Sequence, residues 1–164
     1  MGNALTSQEK QAPKPPGALK CGDVGTYREQ GKQKTNKQNR DHVPATSSML
    51  AAAKKHPASA GLKGKQLKCF NRFVKMDALT VAIPGGIHRK HSRTYGGKGG
   101  NARIKKDVQN LEQAAKDDFE KIEKHLSEEC QAKYKEAQAK ILAQLPDKHF
   151  QECRAKALDP KQCK

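Results

Sequence analysis

Apolar side chains recur every three or four positions through the last third of the chain, and this repeat most constrains its fold. The first series runs through Val108, Leu111, Ala115, Phe119, Ile122 and Leu126. This spacing places them along one face of an amphipathic helix. Two further series predict helices before and after Pro146, through Tyr134, Ala137, Ile141 and Leu145 in the first and Phe150, Cys153 and Leu158 in the second. The C-terminal third is therefore expected to be helical.

The residues before position 106 follow a different pattern. Residues 79–83 predict a short buried strand that ends at Pro84-Gly85-Gly86, and residues 21–27 predict a turn and another short strand. Residues 46–48 carry hydroxyl groups ahead of an alanine-rich run, which predicts a capped helix that Pro57 stops. Residues 58–78 show little periodicity, with Cys69, Phe70, Phe73, Val74 and Met76 as candidate core residues. We therefore expect an α+β fold with short strands and a small core.

The organisation along the chain follows from composition. Residues 1–19 are polar and rich in proline, so they cannot bury enough surface to fold and predict a flexible arm. Residues 20–126 would form one basic domain, and residues 127–164 would form a C-terminal helical appendage packed on it. A length of 164 residues suits one domain with an appendage.

The charge of the chain is high and unevenly distributed. The formal net charge is +16. Residues 1–40 contribute +5, residues 41–105 contribute +11, and residues 106–164 carry equal numbers of acidic and basic side chains. A basic surface of this strength favours a polyanionic partner, which is nucleic acid or an anionic membrane surface. The densest positive charge surrounds the histidine motifs described below.

The sequence contains no apolar run long enough for a membrane span and no hydrophobic signal-peptide core after Met1, so we expect a soluble protein. The first six residues, with Gly2 and Thr6, fit the loose pattern for N-myristoylation.

The five cysteines do not form a Cys-x-x-Cys pair, which argues against a zinc finger. Their odd number leaves at least one free thiol in a monomer. Cys130, Cys153 and Cys163 can come together in the last helices, but the sequence does not define the pairing.

Two histidine motifs suggest chemistry on phosphate. Asp41-His42 is one, and His88-x-x-His91 is the other. Hydrolysis of a phosphodiester needs a water that is deprotonated near neutral pH, and histidine has a suitable pKa for that task. We assign His42 as general base and Asp41 as a metal ligand, with His88 or His91 completing the metal site. Because adjacent side chains of a strand face opposite ways, Asp41 and His42 can serve one site only if the backbone bends there.

Basic residues beside these motifs are candidates for contact with the substrate. Arg93 is assigned to the catalytic site because a guanidinium fork matches phosphate oxygens. Arg40, Arg89, Lys90 and Lys98 are assigned to nucleic-acid binding. The glycine-rich residues 96–100 can also let the main chain approach a phosphate, although such a loop is more often a flexible connection.

The residues that carry a family resemblance are Arg40-Asp41-His42-Val43-Pro44, Ile83-Pro84, Ile87-His88 and Ser92-Arg93-Thr94-Tyr95-Gly96. With the alanine-rich helix after Pro44, they resemble the C-terminal nuclease domains of bacterial polymorphic toxins, over roughly residues 20–125. The Asp-His pair also resembles the opening of the HNH, or His-Me finger, nucleases. The second cluster departs from the familiar pattern, because it is His-x-x-His and His88 lies 46 residues after His42.

The resemblance implies a small ββα-metal core in which His42 is the general base and a divalent ion, Mg²⁺ or Zn²⁺, assists. It implies an antibacterial effector that is delivered into the cytoplasm of a target cell, by type VI secretion or a contact-dependent route. Dependence on a metal ion would favour DNA over RNA as the substrate, since RNA can be cleaved through its own 2′-hydroxyl without an ion. An acidic immunity protein would hold it inactive in the producing cell.

Three alternatives stay open from the sequence. The chain can be an RNase toxin of the same family, or a basic nucleic-acid-binding protein without catalysis whose lysines neutralise phosphates. It can also be a membrane-surface protein, although no strongly apolar basic helix supports that reading.

Overall fold

The computed structural model describes residues 17–164. Most of the predicted arm, including the Gly2 motif, lies outside these residues. The described strands are β1 (Val24–Thr26), β2 (Gln38–His42) and β3 (Leu79–Pro84). The described helices are α1 (Tyr27–Gln30), α2 (Thr46–Lys55), α3 (Gly64–Met76), α4 (Gly85–His91), α5 (Gly100–Gln109), α6 (Leu111–Glu123), α7 (Glu128–Ala143) and α8 (Pro146–Leu158). Short 3₁₀ turns occupy Pro57–Ser59 and Tyr95–Gly97. The predicted α+β class is confirmed.

The sheet is antiparallel, and β3 lies between β1 and β2. In the register, Asp41 faces Val81 across β2 and β3, and His42 faces Thr80. The connection from β2 to β3 contains α2, the first 3₁₀ turn and α3. β2 and β3 are thus hydrogen-bonded neighbours although about 36 residues separate them in sequence, and α4 follows β3 directly. This connection accounts for the long separation between His42 and His88.

Two predicted elements are confirmed, and two details of the helix predictions are corrected. The strand at residues 79–83 and the helix after Pro44 are both present. That helix has Ala45 as its N-cap without a side-chain cap, because Ser48 turns inward and donates to Asp107. The stripe from residue 108 to residue 126 is divided between α5 and α6, because Asn110 leaves the helical conformation and its side chain caps α6.

Helix α3 was not predicted, although Cys69, Phe70, Phe73 and Val74 are buried as expected from the sequence. Leu67, Phe70, Phe73 and Val74 recur at steps of three and four residues, so this helix has the same apolar period as the C-terminal helices. The lysines between them lie on its exposed face.

Two hydrophobic clusters fill the interior. One joins α2 and α3 to α8 and includes Phe70, Val74 and Phe150. The other joins β3 and α6 to α7 and includes Ile83 and Tyr134. The C-terminal helices therefore complete both clusters, rather than covering a core that is already closed.

Each hydrophobic cluster contains one disulfide. Cys21 is bonded to Cys130, and Cys69 is bonded to Cys163. Cys153 is a buried free thiol, which agrees with the odd cysteine count. The bonds fix α7 to the start of the sheet and the C-terminal tail to α3.

Candidate functional site

A cavity of about 310 Å³ opens where the end of β2 meets α2, α4 and the second 3₁₀ turn. The residues that line it are Arg40, Asp41, His42, Ala45, Thr46, Ser47, His88, Thr94, Tyr95, Gly96 and Gly97. Most residues of the Arg-Asp-His motif and one histidine of the second motif therefore border the same space.

Asp41 and His88 form a buried pair at the wall of this cavity. The Asp41 side chain lies on β2, His88 lies on α4, and Asp41 Oδ1 is 3.1 Å from His88 Nε2. The other ring nitrogen, Nδ1, is 3.0 Å from Asn39 Nδ2. Tyr95 packs its edge against the imidazole, with ring centroids 5.0 Å apart. Three neighbours thus fix the orientation of His88.

His42 is the last residue of β2, and its imidazole contacts Lys75 and Tyr27. Its Nε2–H donates to the carbonyl oxygen of Lys75, at 3.0 Å, and its ring packs on Tyr27. This hydrogen bond fixes the tautomer, so Nδ1 carries the lone pair. Within residues 17–164, Nδ1 has no hydrogen-bond partner. Burial lowers the pKa of His42, against the opposing effects of the Lys75 hydrogen bond and the Asp41 charge. A neutral imidazole with a free lone pair can accept a proton.

Adjacent residues of a strand point to opposite faces, yet Asp41 and His42 border one cavity. The strand ends at His42, and the chain turns into α2 at Thr46. Asn39 and Asp41 both contact His88. Arg40 and His42 both contact Tyr27, so the side chains alternate between the two faces of β2 up to its last residue. Asp41 and His42 therefore lie on opposite faces of the strand, and the bend that would bring them to one face is not present there.

Arg40 is close to the same cavity and keeps part of its guanidinium available. Its Nη1 donates to the carbonyl oxygen of Tyr27 at 2.8 Å, and the guanidinium lies over the Tyr27 ring at 3.8 Å. The stacking holds the planar group in place and leaves its other N–H groups without protein partners among the described residues.

Arg93 occupies a different position from the one its assignment requires. Its Nε donates to Asp118 and its Nη1 to Asp107, at 2.8 and 2.9 Å. Arg103 and Ser48 also donate to Asp107, which is almost fully buried. The guanidinium of Arg93 is therefore used in a network between helices, and we assign it a structural role.

The two carboxylates of this network differ in acidity. Burial raises the pKa of Asp107, but hydrogen bonds from Arg93 and Ser48 outweigh this effect and hold the pKa below its usual value. Burial raises the pKa of Asp118 to about 7 despite the nearby Arg93. Asp118 Oδ2 has no hydrogen-bond partner among the described residues, which agrees with the larger cost of ionising it.

The remaining sequence candidates lie on the outer side of α4. His91 stacks on His125, with ring centroids 3.4 Å apart, and does not line the cavity. Arg89 and Lys90 are exposed. Lys98 Nζ donates to the carbonyl oxygens of Arg89 and Ser92, so its ammonium group closes the C-terminal end of α4.

The side chains around the cavity include only part of the ligand set that a divalent ion needs. Within residues 17–164, no group of three or more His, Cys, Asp or Glu side chains is placed to hold a metal. Asp41 and His88 nevertheless present one oxygen and one nitrogen 3.1 Å apart. Two neighbouring ligands on an octahedral ion with bonds of about 2.1 Å are separated by about 3 Å. The same separation is that of an ion pair, in which Asn39 Nδ2 donates to His88 Nδ1 and the proton on His88 Nε2 faces Asp41. Asp41 and His88 would hold an ion once Nε2 has lost that proton, and a turned Asn39 amide would then accept from Nδ1–H.

Sequence reasoning missed two members of this site. Tyr27 orders both Arg40 and His42, and the carbonyl of Lys75 orients His42. A lone tyrosine gives no sequence signal for such a role. A main-chain carbonyl 33 residues away gives none either, because any residue type supplies it.

None of the helices in residues 17–164 combines the length and apolar character needed to cross a bilayer. No protein-family model matches the chain, and neither the curated proteins nor the solved structures include one significantly similar to it. A function for this chain must therefore be inferred from the arrangement of Asp41, His42 and His88 on β2 and α4.

Proposed function

We propose that this chain is a metal-dependent nuclease with a ββα-metal site built from β2, β3 and α4. The observation that carries the proposal is the placement of Asp41, His42 and His88 around one cavity, with Asp41 and His88 3.1 Å apart. Strand β2 supplies Asp41 and His42, and α4, which follows the neighbouring strand β3 directly, supplies His88. The resemblance of the Asp-His motif to HNH nucleases supports the same assignment.

His42 is the general base in this proposal. Its Nδ1 takes a proton from a water molecule while the water oxygen bonds to phosphorus, and the bond from phosphorus to the leaving oxygen breaks. The Lys75 carbonyl keeps the imidazole in the required tautomer. The leaving oxygen takes a proton from solvent.

Asp41 and His88 would hold the divalent ion, Mg²⁺ or Zn²⁺. When bound, the ion supplies positive charge that stabilises the phosphate and the leaving oxygen. Asp41 and His88 would be its protein ligands, and the substrate phosphate would supply further oxygen ligands. Arg40, which lines the same cavity, would contact a phosphate oxygen.

DNA is the proposed substrate, because RNA can be cleaved through its own 2′-hydroxyl without an ion. The two disulfides support a protein that passes through an oxidising compartment, in keeping with an effector acting in another cell. The net charge of +16 supports an acidic immunity protein as the partner in the producing cell.

The experiment is to incubate the purified chain with plasmid DNA and with total RNA, with and without EDTA. We expect plasmid cleavage that EDTA abolishes and that a divalent ion restores. The variant His42→Ala should lose cleavage and keep DNA binding. If His42→Ala cuts as fast as the unaltered chain, the assigned base is wrong. If neither substrate is cut under any condition, the nuclease proposal fails.

A further inference from the structure

The connection between β2 and β3 carries an unusual charge. Residues 43–78 contain seven lysines and arginines and one carboxylate, Asp77. The C-terminal helices have as many acidic as basic residues over positions 106–164. A run of basic residues is commonly no more than a solvated surface. Whether this one binds a partner therefore has to be inferred from where its side chains lie in the fold.

Helix α3 gathers these charges into one stripe. Lys65, Lys68, Arg72 and Lys75 lie within an arc of about 80° at 100° per residue. The buried side chains of α3 are centred on the opposite side of the helix. All four stripe residues are exposed. We call Lys65, Lys68, Arg72 and Lys75 the α3 stripe.

The α3 stripe is not neutralised by the part of the chain that the structure describes. No carboxylate in residues 17–164 forms an ion pair with any of its four side chains. Asp77, directly after α3, is paired with Arg28 and Lys156 instead. Arg72 donates to the carbonyl oxygen of Gln162. The stripe therefore keeps its positive charge available to a partner.

The stripe ends at the candidate base. The carbonyl of Lys75 accepts the hydrogen bond that orients His42. The Nζ of Lys75 lies 5.4 Å from the centre of the Tyr27 ring, which also packs on His42 and Arg40. A polyanion lying along α3 would thus arrive beside the cavity.

We propose that the α3 stripe is a phosphate-backbone binding surface that guides the nucleic-acid substrate to His42. The inference rests on the proposed nuclease function and extends it to a surface outside the cavity. From residue 65 to residue 75 a helix rises about 15 Å, and one strand of DNA advances about 3.4 Å per nucleotide. The stripe can therefore cover about four nucleotides. Its contacts are ionic and independent of base sequence.

The exposed side of α3 favours nucleic acid over a membrane. Gln66 and Asn71 are the other exposed side chains of the helix beyond its first residue, and Leu67 is half-buried. A helix that lies on a membrane inserts an apolar face, and the apolar face of α3 is already buried in the protein.

The test compares two triple variants in a His42→Ala background, so that bound DNA stays intact. Lys65→Gln/Lys68→Gln/Lys75→Gln removes three charges of the stripe. Lys121→Gln/Lys133→Gln/Lys140→Gln removes three exposed lysines from α6 and α7, and both variants have the same net charge. Binding of a short fluorescein-labelled DNA duplex is followed by anisotropy over a range of salt concentrations. Circular dichroism checks that each variant is folded.

We expect the slope of log K against log salt to become shallower by about 2 to 3 in the stripe variant and by less than about 1 in the control. Equal changes in the two variants, or an unchanged slope in the stripe variant, would overturn the inference. The same holds if the stripe variant loses only its binding to phosphatidylserine vesicles. Because binding is measured without cleavage, failure of the stripe can be told apart from failure of the nuclease proposal.

Discussion

Two clusters of charged side chains lie near the junction of the sheet and α4, and they differ in what they leave free. In the first, Asp41 and His88 line a cavity, and Asn39 contacts the Nδ1 of His88. In the second, Arg93 and Arg103 are enclosed between Asp107, Asp118 and Ser48. Both clusters contain residues that the sequence motifs single out.

The first cluster has the features of a reactive site, and the second has those of a structural network. The first cluster is small, borders open space and adjoins a neutral imidazole with a free nitrogen. The second satisfies nearly all of its donors internally and joins α2, α5 and α6. Changes in the first cluster should therefore reduce catalysis, and changes in the second should reduce stability.

The largest effect is expected for Asp41→Asn. The substitution keeps the shape of the side chain but removes the charge that would hold a divalent ion, so cleavage of plasmid should fall by about 10³-fold. Chemical denaturation should show a much smaller change in the free energy of unfolding. A variant that retains a tenth of the activity would remove Asp41 from the site.

A loss of stability comes next. Arg93→Ala leaves Asp118 without its ion pair, while Asp107 keeps its pair with Arg103. Removal of one partner of a buried ion pair costs up to about 3–5 kcal/mol. Urea unfolding would measure the change, with Arg93→Lys as the control that keeps the charge. If Arg93→Ala is as stable as the unaltered chain but inactive, the separation of the two clusters fails and Arg93 returns to the catalytic site.

Loss of either disulfide alone should have a smaller effect on stability than Arg93→Ala. The two bonds close loops of 109 and 94 residues, and each should contribute about 2–4 kcal/mol. Unfolding with and without a reductant, compared between Cys69→Ser/Cys163→Ser and Cys21→Ser/Cys130→Ser, would assign the contributions. Equal stability with and without reductant would show that the cysteines are unpaired in solution.

The smallest effect is expected for His91→Ala. His91 stacks on His125 away from the cavity, so cleavage should change less than about twofold and stability by less than about 0.5 kcal/mol. His88→Ala, one helical turn earlier, is the matched comparison and should lose most activity. A strong loss in His91→Ala would make both histidines part of the site.

The sequence predicts the elements whose apolar spacing is regular, which are β3 and the C-terminal helices. It also contains the helical spacing of α3, at Leu67, Phe70 and Val74, which the many lysines between them make easy to overlook. The position of Asp41 and His42 could be predicted because the motif is local. Which of His88 and His91 faces Asp41 depends on the direction of α4 relative to β2, which the sequence does not give. The contacts of Arg93 could not be predicted either, because its carboxylate partners lie on α5 and α6, 14 and 25 residues further along the chain.

The completion of both hydrophobic clusters by α7 and α8 has a consequence for how the protein opens. Separation of α7 would expose apolar surface on β3 and α6, and separation of α8 would expose apolar surface on α2 and α3. Cooperative unfolding follows from such shared burial, so one transition should be seen by every spectroscopic probe. The cavity would then keep its shape up to the denaturant concentration at which the entire described chain melts.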